Sequence, residues 1–222
     1  MKKYKNRIFR GTMWILAGLL FVVGGLGVYS AGVMSELKEN IVRLHVVADS
    51  DEPDAQALKL KVRDSVTTYT AELLENSESA EESYKILQAN IDGIQKVAEE
   101  RARAEGCDLP VTATIGEFDF PVKSYGDISL PTGNYNAVKV TIGSGEGQNW
   151  WCVLFPPLCF VDSEAAAVSA SGRVQLRENL SDETYDVIEN PQGEDDLQIR
   201  FKIVDFFENL AQKARTTWTN LF

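Results

Sequence analysis

Asn149-Trp150-Trp151-Cys152-Val153-Leu154-Phe155-Pro156-Pro157-Leu158-Cys159-Phe160 is the stretch on which the reading of this 222-residue chain turns. It holds two of the four tryptophans, two of the three cysteines and two adjacent prolines, and no charge interrupts it. Trp150 to Phe155 reads as a strand buried on both faces. Pro156 cannot donate to a ladder and Pro157 restricts the residue before it, so the strand ends there and the chain turns. Neighbouring side chains on a strand point to opposite faces, so Trp150 and Trp151 cannot share one core. One of them must be covered by other structure or offered to a partner. Core packing is the expected role of most of the run, and the Pro156-Pro157-Leu158 tip is the candidate partner-facing surface.

Upstream of this run the pattern changes period several times. Ile41 to Ala48 is a short β-branched run and reads as a strand. Asp49-Ser50-Asp51-Glu52-Pro53-Asp54 ends it with turn and helix-start chemistry. Ala55, Leu58, Val62, Val66, Tyr69 and Leu73 then form one apolar stripe of a helix. Ser79 with Glu82 has the capping-box form and opens a second helix carrying Tyr84, Leu87, Ile91, Ile94, Ala98 and Ala102, which Gly106 stops. Strands follow at Val111–Ile115, extended by Phe118 and Phe120, and at Tyr135–Ile142, with a short edge strand between Tyr125 and Leu130. Gly143 to Asn149 is a loop leading into the Trp150 strand. The order predicts an α+β fold, a mostly antiparallel sheet with two long amphipathic helices on one face.

The ends differ from the middle. Lys2, Lys3, Lys5, Arg7 and Arg10 precede an uncharged run from Gly11 to Ser35. That is the layout of a signal peptide, and the run is also long enough to span a bilayer as a helix. Cleavage after Ser30 and retention as an anchor both fit, and either puts the body outside the cytoplasm. Residues 36–162 form the predicted globular domain, 163–198 an acidic flexible linker, and 199–222 a C-terminal amphipathic helix striped by Ile203, Phe206, Phe207, Leu210, Ala214, Trp218 and Leu221. The net charge of −11, despite the basic start, argues against nucleic acid and favours partners with basic patches.

Two runs together resemble the stage II sporulation protein R family. One is NWWCVLFPPLCF; the other is Arg43-Leu44-His45-Val46-Val47-Ala48-Asp49-Ser50-Asp51, continued by Gln56 to Asp64. The resemblance covers about residues 41–162 and returns weakly at Arg200-Phe201-Lys202. It implies a protein made in the forespore of an endospore-forming bacterium and exported to the space facing the mother cell. There it would switch on a membrane-embedded aspartic protease that matures the precursor of the sigma-E transcription factor. The partner-binding candidates are Arg43, His45, Asp49, Ser50 and Asp51 on one run, and Trp150, Trp151, Phe155, Pro156, Pro157, Leu158 and Phe160 on the other.

The chemistry-bearing residues carry plainer readings. A bridge between Cys152 and Cys159 would lock the proline turn outside the reducing cytoplasm; two buried thiols are the alternative. His45, the single histidine, reads as structural. Asp49, Asp51 and Asp54 fail as a calcium loop, since Asp54 stands where glycine is needed and Leu60 where the last ligand is needed. The Gly143-Gly145-Gly147 loop lacks the lysine of a phosphate loop. No catalytic set, metal, cofactor or small-molecule substrate is expected. The competing readings are an extracytoplasmic cell-wall hydrolase with paired carboxylates and a structural envelope module.

Overall fold

The computed structural model describes residues 28–158 and 170–189, with scattered helical positions before Val28. A helix α1 over residues 28–40 leads into strand β1 (Val42–Val47). Helices α2 (Pro53–Leu73), α3 (Ala80–Ala89) and α4 (Ile91–Ala104) follow. Strands β2 (Val111–Phe120), β3 (Lys123–Tyr125), β4 (Ile128–Leu130), β5 (Gly133–Ile142) and β6 (Asn149–Phe155) come next. Helices α5 (Ala170–Asn179) and α6 (Asp182–Ile188) close the described chain.

The α+β class holds, and the sheet is mixed. Its order is β2-β5-β1-β6, with the β2–β5 and β1–β6 pairs antiparallel and the β1–β5 pair parallel. All six residues of β1 are buried. Strands lie on both of its sides and a layer covers each face, so its β-branched residues serve two cores. Val42, Leu44 and Val46 pack under the helices with Val62, Val66, Leu87, Ile94 and Ala98. The opposite core is built from α1, the β3–β4 hairpin, α5 and α6 through Leu37, Ile128, Leu176, Tyr185 and Ile188.

Several expectations are corrected here. Helices cover both faces, because α1, α5 and α6 supply a second layer. The expected second long helix is two, α3 and α4, broken at Asn90 (φ −112°, ψ 15°), whose side-chain amide donates back to the Ile86 carbonyl and competes with the helix ladder. The stripe survives the break, since Leu87, Ile94, Ala98 and Ala102 are all buried. Gly93 lets α4 approach α2: a Cβ there would meet the Tyr69 hydroxyl at 2.5 Å. Ser79 caps α3 by accepting the Glu82 N–H, while the Glu82 carboxylate takes the N–H of Glu78. The Tyr125–Leu130 segment is a separate hairpin turning at Gly126 (φ 64°). Among the described residues the Trp150 strand pairs with β1 and stands at the end of the sheet order; Asn149 is exposed, Trp150 and Trp151 are half-buried, and burial is complete only from Cys152.

The expected linker at 163–198 carries α5 and α6 instead. Its stripe is short and diluted by acids, but Leu176 and Leu180 at a spacing of four, then Tyr185 and Ile188 at three, all face the second core. Arg173 donates two parallel bonds to Asp127 and pins α5 to the hairpin turn. Glu36 on α1 accepts from the Ser181 N–H and from the hydroxyls of Ser181 and Thr184, at the start of α6. Burial opposes its charge, but the bonds from Thr184 and Ser181 outweigh burial and hold its carboxyl below the usual range. Glu36→Ala is therefore expected to cost about 2 kcal/mol and to raise amide exchange at Tyr185 and Ile188 first. Exchange that rises equally in α3 would defeat that reading.

Residues 1–12, Cys159, Phe160 and the C-terminal helix expected at 199–222 lie outside the described residues, as does most of the leader. Among the described residues no helix is long and apolar enough to cross a membrane.

Candidate functional site

The two signature runs fold as neighbours. Leu44 stands opposite Cys152, His45 opposite Trp151 and Val46 opposite Trp150 on the β1–β6 ladder. Pleating sends the two tryptophans apart. Trp150 lies against the helical core with the Arg63 guanidinium 4.2 Å from its ring centre. Trp151 lies on the other face, stacked on His45 at 3.8 Å and tilted against Phe120 at 4.7 Å. Each tryptophan thus has a cover from its own chain.

Alternation along β1 puts Arg43 and His45 on the same face as Trp151. Arg43 is fully buried, with its guanidinium 4.1 Å from the Phe120 ring centre and 4.8 Å from that of Tyr135. One of its nitrogens donates to the Tyr125 hydroxyl at 2.9 Å, while Nε and Nη1 have no hydrogen-bond partner among the described residues. The aromatic faces stand where a carboxylate would be expected. Burial pushes both phenols, Tyr125 and Tyr135, up from their ordinary values, so they stay neutral. His45 Nε2 lies 2.6 Å from the Asn149 side-chain oxygen. Burial lowers its pKa to about 4, the Asn149 bond opposes the fall, and Lys139 on β5 adds to it. The ring is thus neutral at physiological pH and occupied by structural contacts.

The acids of the first run have a different task. Asp49 Oδ1 accepts the Ser144 N–H at 2.7 Å, and its carbonyl takes the Ser144 hydroxyl at 2.8 Å. Asp51 Oδ1 accepts the Gln148 N–H at 2.7 Å, and the Ser50 carbonyl accepts from Gln56 at 2.8 Å. Lys59, almost fully buried, donates to the Gln148 carbonyl at 3.0 Å. These bonds clasp the β1–α2 turn to the β5–β6 loop. The close approach needs the glycines: Gly143 has φ +59° beside the Asp49 carboxylate. The acids act as acceptors for backbone amides, in keeping with a turn role. Among the described residues no group of three or more His, Cys, Asp or Glu is placed to hold a metal ion.

The clasp and the proline tip lie at opposite ends of the sheet. Asn149 pairs with Val47 at the clasp end, and Phe155 pairs with Val42 at the other, near the α1 entry. The tip packs more than it projects: Pro156 and Leu158 are buried, Pro157 is half-buried, and the Leu158 N–H bonds back to Val153. Cys152 and Phe155 are buried in the helical core. Cys159 and Phe160 lie outside the described residues, and with them the expected bridge to Cys152. Sequence reasoning missed Phe120, Tyr125 and Tyr135 as the box around Arg43. The signal available was the placement of two polar residues at alternate positions of an otherwise apolar strand, which demands partners on one face.

Comparisons with known proteins converge. The family model described as stage II sporulation protein R matches residues 38–165. Stage II sporulation protein R of Bacillus subtilis (strain 168) is 32% identical over 185 residues, covering 78% of this chain and 83% of that protein. No solved structure matches.

Proposed function

Because the chain belongs to the stage II sporulation protein R family, we propose that it is a sporulation signalling protein that works outside the cytoplasm by touching another protein. The observation that carries this reading is that membership, over the same two runs that pair as β1 and β6. Support also comes from the use of the polar signature residues. Arg43, His45, Asp49 and Asp51 are spent on holding the fold together, which suits a ligand that presents a fixed surface. The basic start and uncharged run up to Ser35 would deliver the body across the membrane, and Trp14, Phe21 and Val28 are exposed apolar positions in that run. The finer reading is that the body lies between forespore and mother cell and switches on a membrane-embedded aspartic protease, which then matures the sigma-E precursor. A bridge between Cys152 and Cys159 belongs to the same reading, since it would be stable only in that compartment.

Co-expression of the full chain with that protease and the precursor tests the proposal. Processing should rise when this chain is exported and stay at background when the leader is replaced by a cytoplasmic start. Equal processing with and without the chain would remove the proposal. Substrate turnover by the purified body alone would replace contact with catalysis.

A further inference from the structure

Strand β2 stands at one end of the sheet order, beside β5. Just before it, the Gly143 N–H donates to the Pro110 carbonyl at 2.8 Å, so the even-numbered residues from 112 to 120 turn their backbone groups toward β5. The odd-numbered residues from 111 to 119 turn theirs outward. Ala113 agrees with that parity, because its N–H donates to the Gln95 side chain of α4 at 3.1 Å. Helix α4 thus covers the first half of this edge. Over the second half, no hydrogen bond among the described residues reaches the outward N–H and C=O groups of Ile115, Glu117 and Asp119. Such a row is a template for an added strand.

We propose that the open row at residues 115–119 pairs with an extended segment of the protein that this chain touches, and that the segment alternates basic and apolar residues. The inference rests on the signalling reading and gives it a surface. The two faces of β2 choose the occupant. Ile115, Glu117 and Asp119 share one face, and both acids are exposed. Glu117 meets Lys38 at 2.9 Å, but a pair so exposed contributes little and gives way easily. Asp119 accepts the Asn134 amide at 3.2 Å and has no cation beside it among the described residues. A strand laid alongside would set its own cations against these carboxylates. Gly116 and Phe118 share the other face. Phe118 is half-buried, and a Cβ on Gly116 would meet its ring alone, at 3.9 Å, so Gly116 leaves room for an apolar side chain. A second copy fits worse. Antiparallel self-pairing centred on the open row sets Glu117 against Glu117, in a chain of net charge −11.

Precursor processing by the exported full chain, in the co-expression assay, tests it. Glu117→Pro removes an outward donor that the fold does not use and blocks an added strand. Glu117→Lys with Asp119→Lys keeps the backbone row and inverts its charge, and it decides the matter if the proline disturbs folding. Glu72→Lys with Glu75→Lys makes the same charge change at exposed positions of α2. Thermal unfolding checks that each variant is folded. Each β2 variant should lower processing about tenfold, and the α2 control should stay within about twofold of the native chain. Processing at background with the native chain would remove the signalling reading and this inference with it. An active native chain beside equally active β2 variants would remove this inference alone, leaving the acids as guards of the edge. Loss with proline but not with the lysines would deny a basic partner. Loss with the lysines but not with proline would deny strand pairing. A native dimer that Glu117→Pro makes monomeric would assign the edge to a second copy. Each of these results overturns the proposal.

Discussion

Acidifying the purified chain from pH 7 to pH 4 is expected to remove about 3 kcal/mol of stability through His45 alone, at 1.36 kcal/mol per unit of pKa shift. The ring is 7% exposed, flat on Trp151 and bonded to Asn149. Its folded pKa is lowered from 6.5 to about 4, chiefly by burial. Between those values the unfolded chain takes up a proton that the folded chain refuses, so acid favours unfolding. The contribution is complete above pH 6.5 and is lost as the pH falls to about 4. Urea unfolding of the native chain and of His45→Gln at both pH values isolates the effect. The carboxylates Glu36 and Asp127, whose pKa values are lowered, act at the acid end of the range in both proteins and cancel in the difference. The native chain should lose about 3 kcal/mol more than the variant between the two pH values. Parallel losses would mean that His45 carries its proton inside the fold.

Gly147→Ala is expected to cost about 3 kcal/mol, combining an overpacked contact with a strained hydrogen bond. A Cβ there would lie 2.3 Å from the Ser50 carbonyl oxygen and 2.5 Å from its carbon. Both are backbone atoms, so relief requires the two loops to part. Parting them stretches the Gly147 N–H bond to Ala48, now 3.0 Å, and the Gln148 N–H bond to Asp51. Gly116→Ala is the control, because its added methyl meets nothing nearer than the Phe118 ring at 3.9 Å. The control should stay within about 1 kcal/mol of the native chain. Thermal unfolding of both variants decides the matter. If Gly147→Ala unfolds with the native chain, the clasp does not hold the loops together. If the variant is folded and less stable yet still stimulates precursor processing, the clasp supports the fold without forming the contact surface.

Much of this was legible one element at a time. Short β-branched or uninterrupted apolar runs marked β1 and β6, period two marked β2 and β5, and period three to four marked the stripe of α2 and the shared stripe of α3 and α4, because side-chain direction repeats with the local backbone. Capping at Ser79 and termination at Gly106 were local chemistry and came out as read. The opposite pointing of Trp150 and Trp151 followed from the pleat alone. The helices at 170–188 were not legible, since ten- and seven-residue helices offer one or two apolar steps each and the acids around them mimic a linker. Three further decisions belong to the tertiary structure: that β1 is central and β6 stands at the end of the sheet order, that Arg43 sits among Phe120, Tyr125 and Tyr135, and that Asp49 and Asp51 serve the β5–β6 loop. The partners in these contacts stand 82, 95 and 97 residues apart, for Arg43 with Tyr125, Asp49 with Ser144 and Asp51 with Gln148. Periodicity states which face of a segment is apolar. Only the pairing of distant strands states what that face will meet, and for a buried cation or a turn carboxylate the identity of the partner is the whole of its role.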